Sequence, residues 1–146
     1  MPSKNICFNP SGHDTYSPAY SHVSSVPISG THNLVSFAGQ IGRDDDHNVP
    51  EDLGAQVSIA LANVDKCLES VNATKDDIVQ VRQYIVDLLH DRDGEKNVPN
   101  PVRAKLYAEW MGGRKPPSTV LGVQSLANKE LLYEIEVICV VENKAG

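Results

Sequence analysis

Aromatic and basic residues are both scarce in this chain. Phe, Trp and Tyr make up 5% of its 146 residues, and 13 Lys and Arg stand against 19 Asp and Glu, a net charge of −6. Nucleic-acid binding draws on cations that neutralise phosphates and on rings that stack on bases. A chain short of both is not expected to bind RNA or DNA. Cysteine is sparse too. Cys7, Cys67 and Cys139 are odd in number, far apart and without a CxxC spacing, which argues against a disulfide framework and a zinc knuckle. A reducing, cytoplasmic setting is the default. Long apolar runs are missing, so no segment is expected to span or sit in a membrane. Met1-Pro2-Ser3-Lys4-Asn5 leads into no apolar signal core. Neither GxGxxG nor GxxxxGK[ST] occurs, so no phosphate cradle is expected. The histidines (His13, His22, His32, His47, His90) form no HxH or HExxH pair, and no metal or other cofactor is expected. Asp44-Asp45-Asp46 lacks the glycine and distal glutamate of a calcium loop and reads as a solvated turn.

What is present is ordinary globular composition, 40% hydrophobic and 22% charged. Residues 1–146 suit one domain, burying about 68–70% of the surface the unfolded chain exposes. Ile6-Cys7-Phe8 reads as a short edge strand. From His22 to Gly42 the chain reads as a hairpin: Val23, Val26 and Ile28 on one arm, Leu34, Val35, Phe37 and Ile41 on the other, and turn residues between. Pro50-Glu51-Asp52 opens a helix whose apolar stripe is Val57, Leu61, Val64, Leu68 and Val71. Ile78–Leu89 reads as a strand, 90–101 as a polar loop, and Val102–Met111 as a second helix ended by Gly112-Gly113. Strands over Ser118–Leu126 and Leu131–Val141 form a closing hairpin. The order ββαβαββ predicts an α+β domain with two helices on one face of a mixed sheet.

The last strand says most about assembly. Side chains alternate between faces of a strand, so Leu131, Tyr133, Ile135, Val137, Cys139 and Val141 form a wholly apolar face to lie under the helices. Leu132, Glu134, Glu136, Ile138 and Val140 form the other face. Two helices cannot cover both. A face mixing aliphatics with carboxylates is best covered by a second subunit, which would place sites between chains. Glu134 and Glu136 can serve as a general acid–base pair; alternatively, they form a solvated face or pair with a cation such as Arg82. Cys67 and Cys139 read as buried and inert, and Tyr107 and Trp110 as core or interface.

Several segments in order resemble the Rid family (YjgF-type imine deaminases, once called L-PSP endoribonucleases). They are Ala38-Gly39-Gln40-Ile41, Val49-Pro50-Glu51-Asp52-Leu53-Gly54-Ala55-Gln56, Ala62-Asn63-Val64, Asp77-Ile78-Val79 with Val86-Asp87-Leu88, and Tyr133-Glu134-Ile135-Glu136-Val137. The resemblance implies a chorismate-mutase-like fold and a homotrimer with three clefts between subunits. It implies a hydrolase that turns 2-imino or enamine acids into 2-keto acids and ammonia without a cofactor. It assigns Tyr20, Gly39 and Gln40 to the small-molecule cleft and gives Glu136 the role of orienting the attacking water.

One position departs from the pattern. Pro116-Pro117-Ser118 stands where the family carries Pro-Ala-Arg, so Ser118 replaces the arginine that grips a substrate carboxylate. A serine offers one neutral hydroxyl in place of a bidentate cation. Arg103, Arg114 or Arg43 could supply the charge instead. The expected function is therefore a diverged Rid-like enzyme acting on an imine, enamine or related conjugated metabolite. The alternatives are a metabolite-binding trimer without turnover and, least favoured on charge, a ribonuclease.

Overall fold

The computed structural model describes residues 5–89 and 101–143. Its strands are β1 (Ile6–Phe8), β2 (Val23–Pro27), β3 (His32–Phe37), β4 (Gln40–Ile41), β5 (Ile78–Val86), β6 (Ser118–Val123) and β7 (Tyr133–Glu142); its helices are α1 (Leu53–Ser70) and α2 (Pro101–Met111). The sheet runs β1-β2-β3-β7-β5-β6, and β4 also pairs with β7. Every pairing is antiparallel except β5 with β6. Two helices on a mixed sheet give the expected α+β architecture. No helix among the described residues is long and apolar enough to cross a membrane.

Local signals place α1. The Asp52 carboxylate accepts from Ala55 N at 2.9 Å, filling the N-cap. Val57, Leu61, Val64 and Leu68 are all buried, as their spacing predicts, and Val71 is the C-cap. Two amides in α1 then tie it to distant loops. Gln56 Nε2 donates to Pro50 O (2.8 Å) and Glu130 O (2.9 Å), while Gln56 Oε1 accepts from Leu132 N (2.8 Å). Asn63 Nδ2 donates to Ile41 O (2.9 Å) and Arg43 O (3.0 Å). Both side chains are buried with their polar atoms satisfied, as a dry interior requires. Between α1 and β5, the sequence reading marks only a boundary at 72–74. There Thr74 and Asp77 form a capping box around a 3₁₀ turn at Lys75–Asp77.

Two expectations need correction. The closing hairpin does not form. β6 lies parallel to β5 at the sheet edge after the α2 crossover, and β7 inserts between β3 and β5. Burial explains the exchange: alternate residues of β7 are fully buried under the helices, which suits a central strand, whereas β6 is largely exposed and suits an edge. The second arm of the first hairpin is also not continuous. β3 ends at Phe37, and β4 resumes along β7 with Gln40 opposite Ile135, one residue out of step with Ser36 opposite Ile138. That slip is a β-bulge, which reverses the faces of the residues beyond it. Residues 90–100 of the expected loop lie outside the described residues, and Pro101 begins α2.

Candidate active site

The alternation of β7 behaves as expected. Tyr133, Ile135, Val137, Cys139 and Val141 are buried, while Glu134, Glu136, Ile138 and Val140 are half-buried on the face away from the helices. Pairing with β5 sets Arg82 opposite Glu136 and Tyr84 opposite Glu134. Arg82 Nη1 lies 3.2 Å from Glu136 Oε1, and the Tyr84 hydroxyl donates to the same oxygen at 3.2 Å. Burial and then the Glu136 charge push the Tyr84 phenol up, so it stays protonated and able to donate. Glu136 is thus an anchored anion.

The Glu134 carboxyl has no such partner among the described residues, and it lies against Gly39. A methyl group on Gly39 would come within 2.5 Å of Glu134 Cδ and 2.6 Å of Oε2. The bare glycine backbone is what makes room for the carboxylate. Burial first, and the neighbouring Glu136 charge second, raise the Glu134 pKa above the usual carboxylate range. Two residues apart on one strand face, one carboxyl is fixed as an anion and the other is biased toward holding a proton. The sequence mapping singles out Glu136; burial and the approach to Gly39 single out Glu134.

The bulge turns Gln40 inward, away from the glutamates. Its Oε1 accepts from His13 Nε2 at 2.8 Å, and its Nε2 donates to His22 Nδ1 (3.1 Å) and Ala38 O (2.9 Å). His22 Nε2 donates in turn to Asp14 O at 2.9 Å. The two imidazoles stack at 3.9 Å, and Tyr20 meets His22 edge-on at 6.0 Å. Tyr20, Gly39 and Gln40 therefore do come together, lining a pocket with His13, His22 and Arg43. Arg43 is drawn over the Tyr16 ring at 5.0 Å. The histidine pair has no sequence signature, because its members are brought together only by the fold, stacked on each other and bridged by Gln40.

His13, His22 and Cys67 offer ligand atoms within 4.8 Å of one another. The rings, however, lie within 9° of parallel. An imidazole lone pair lies in its ring plane, so one ion cannot sit in both planes at once. The set fits hydrogen bonding to Gln40 better than a shared metal. Cys67 and Cys139 are buried free thiols, both pushed up to about 12 by burial, and so are inert.

Burial, foremost, lowers the pKa of both His13 and His22 below 6.5. Both are neutral when folded, and unfolding lets them take up protons. Their contribution to stability is therefore full above about pH 6.5 and declines as pH falls below it. Thermal melts from about pH 7 to about pH 5 should show a falling Tm, and the double variant His13→Asn, His22→Asn should flatten that slope. A native Tm independent of pH over this window would refute the assignment.

The remaining candidates separate. Arg114 is held at the start of β5, with Nη1 donating to Lys75 O (2.6 Å) and Ile78 O (2.9 Å) and Asp76 at 3.9 Å. It ties down the 3₁₀ turn. Arg103 is buried, and its Nη1 donates to Gln83 Oε1 at 3.0 Å; Gln83 Nε2 donates to Ser118 Oγ at 3.2 Å. Of the three arginines, Arg103 is the one the fold links to Ser118.

Across residues 14–141 the chain matches the family model described as endoribonuclease L-PSP. The chain belongs to the Rid (YjgF-type) family. A RutC family protein of Pyrococcus abyssi is 30% identical over 112 residues, 75% of this chain and 80% of that protein. A solved member of the YjgF/YER057c/UK114 family from Mycobacterium tuberculosis is 25% identical, with 94% of this chain and 100% of that one covered at a TM-score of 0.71. The YJGH protein superposes at a TM-score of 0.77 over 97% of this chain and all of that one, at 23% identity, a likeness of fold. A Rid-family chain is compatible with an enzyme-like or binding role toward small molecules.

Proposed function

We propose that this Rid-family protein is a cofactor-independent hydrolase of an imine, enamine or related conjugated metabolite, acting in clefts between the subunits of a homotrimer. One observation carries the reading: a carboxyl group with a raised pKa lies over the Gly39 backbone beside a second carboxylate fixed by Arg82 and Tyr84. Hydrolysis of a C=N bond needs both functions of such a group. Water adds to the carbon while nitrogen gains a proton; the C–N bond of the carbinolamine then breaks and ammonia leaves. Glu134, its pKa raised by burial and by the Glu136 charge, is suited to give and retake the proton. Glu136 holds the neighbouring charge constant while it does so.

The sheet supports an assembly of subunits. Glu134, Glu136, Ile138 and Val140, with Leu34 and Ser36 opposite on β3, form a half-buried face that no element of the described chain covers. A second subunit there would dry the glutamates further and strengthen their interactions. The acidic chain speaks against RNA as the substrate.

The test is release of ammonia from 2-aminoacrylate generated in place. The native protein should show weak acceleration or none because Ser118 stands in place of the arginine, and Ser118→Arg should raise the rate by giving a substrate carboxylate a bidentate partner. No acceleration by either protein would overturn the enzyme reading. Ser118 itself favours the second reading, a metabolite-binding trimer, for which ligand would raise Tm with no product formed.

A further inference from the structure

His13, Gln40 and His22 share one buried hydrogen-bond chain whose direction is fixed at every link. Gln40 Nε2 donates to Ala38 O at 2.9 Å, which identifies the nitrogen end of the amide, since a carbonyl oxygen can only accept. The oxygen end must then accept from His13 Nε2 at 2.8 Å. The amide nitrogen also faces His22 Nδ1 at 3.1 Å, so Nδ1 carries a lone pair. The His22 ring proton sits on Nε2, where it donates to Asp14 O at 2.9 Å. Each histidine is thus held neutral in one tautomer.

A proton affects the two rings differently. His13 would take it on Nδ1 and keep its bond to Gln40. His22 has only Nδ1 left to protonate, and that sets two donors face to face across 3.1 Å. The rings stack at 3.9 Å and are 8% and 5% exposed, so a charge on either is poorly hydrated. Neighbouring groups do not offset it. Asp14 and Tyr20 face the pair from the 10–20 segment, Arg43, Asp44, Asp45 and His47 from the turn after β4, and Lys66 and Cys67 from α1. Asp14 pairs with His47, Asp45 with Lys66, Asp44 accepts from the backbone of its own turn, and Arg43 lies over Tyr16. Cys67 stays a neutral thiol.

We infer that Gln40, His13 and His22 form a proton-sensitive latch: closed, it pins the 10–20 segment against β4; a proton on His22 Nδ1 expels the amide and frees that segment, with Tyr20 on it. Further ties of the segment, Asp14 to His47, Tyr16 to Asn128 and Arg43 over Tyr16, lie at the surface, where such contacts are weak. Tyr20 and Gly39 line the same pocket as the histidines. The latch therefore regulates the cleft proposed above and rests on that reading for its role, but its test involves no turnover, so the two fail separately.

The experiment is an NMR titration of the native protein from about pH 7.5 down to about pH 4.5, the range in which imidazoles charge. It follows the ¹⁵N spectra of both rings, the NOE between them, and exchange protection of the His13 amide, which donates to Pro10 O. At the upper end both rings should show the Nε2–H tautomer and a mutual NOE. As His22 takes up a proton, the NOE should vanish and His13 amide protection should fall about tenfold or more, while α1 amides keep theirs. His22→Asn puts an amide oxygen where Nδ1 accepts and cannot titrate, so acid opening should be lost. His13→Gln keeps the donor to Gln40, so acid opening should persist. Gln40→Glu accepts from both rings, so its segment should stay closed when His22 is charged, which keeps the test decisive if His22→Asn does not fold. A charged His22 with NOE and protection intact would overturn the latch. So would an Nδ1–H tautomer of His22 at the upper end, opening at the native pH in His22→Asn or Gln40→Glu, or an equal loss of protection in α1, which would mark global unfolding instead.

Discussion

Glu134→Gln is expected to lower turnover by about a hundred- to ten-thousand-fold, the range general acid–base groups supply. The substitution keeps the shape and removes the titrating proton. Glu134 is half-buried beside an anion, so its charged form is penalised twice, by lost hydration and by repulsion from Glu136. Replacing it with a neutral amide relieves both penalties and should leave the protein as stable as before or slightly more so. Glu136→Gln should behave differently. It strips Arg82 and Tyr84 of a common acceptor and removes the charge that helps raise the Glu134 pKa. Its rate loss should be smaller, and the acidic limb of the pH–rate profile should move to lower pH as the Glu134 pKa relaxes. Gly39→Ala reports on the same carboxylate by sterics: the atoms nearest its methyl belong to the Glu134 side chain, which can swing aside, so activity should fall with little change in Tm. Single-turnover rates with the three variants decide the matter. Equal rates for native and Glu134→Gln, or loss only in Glu136→Gln with an unmoved profile, would transfer the acid–base role to Glu136.

The division between the two glutamates marks where sequence reading stops. Their shared face follows from alternation alone, and so does the burial of Ile135, Val137 and Cys139. The stripe on α1 is likewise local, since residues three and four apart must share a side of a helix. What differs between Glu134 and Glu136 is what each carboxyl meets, the Gly39 backbone for one and the Arg82 and Tyr84 side chains for the other, and those neighbours depend on register. The register at Gly39 is set by a one-residue bulge that no periodicity reveals. The same bulge carries Gln40 off the glutamate face to His13 and His22, 27 and 18 residues earlier in the chain. The place of β7 between β3 and β5 was hidden for a related reason. Two strands joined by a short turn favour a hairpin locally, and only the demand for a fully buried face moves β7 to the centre. Arg103 could be proposed from its nearness to the Ser118 motif, but its link through Gln83 needs the parallel β5–β6 pairing to exist.

Gly42→Ala should be the most destabilising of the small substitutions, by about 3 kcal/mol or more, beyond the upper part of the usual overpacking range. Just past β4, Gly42 is buried where the chain crosses α1. A Cβ there would sit 2.5 Å from Gln56 Cβ, 2.6 Å from Gln56 Cα and 2.8 Å from its carbonyl oxygen. Unlike the Glu134 side chain at Gly39, these atoms cannot swing away. Gln56 is fixed at both ends by three hydrogen bonds to Pro50, Glu130 and Leu132, and Asn63 pins the β4 segment to the same helix through Ile41 and Arg43. Relieving the clash means lifting β4 from α1 and breaking that set of buried bonds, each orphaned group costing about 1–3 kcal/mol. The Tm should fall by roughly 6–12 °C for 3 kcal/mol in a chain of this size. Gly30→Ala, in the β2–β3 turn with nothing within 4 Å of a Cβ, serves as the control and should melt within about a degree of the native protein. A Gly42→Ala protein melting with that control would mean that β4 and α1 are not clamped as described, and the bulge that aims Gly39 and Gln40 would lose its support.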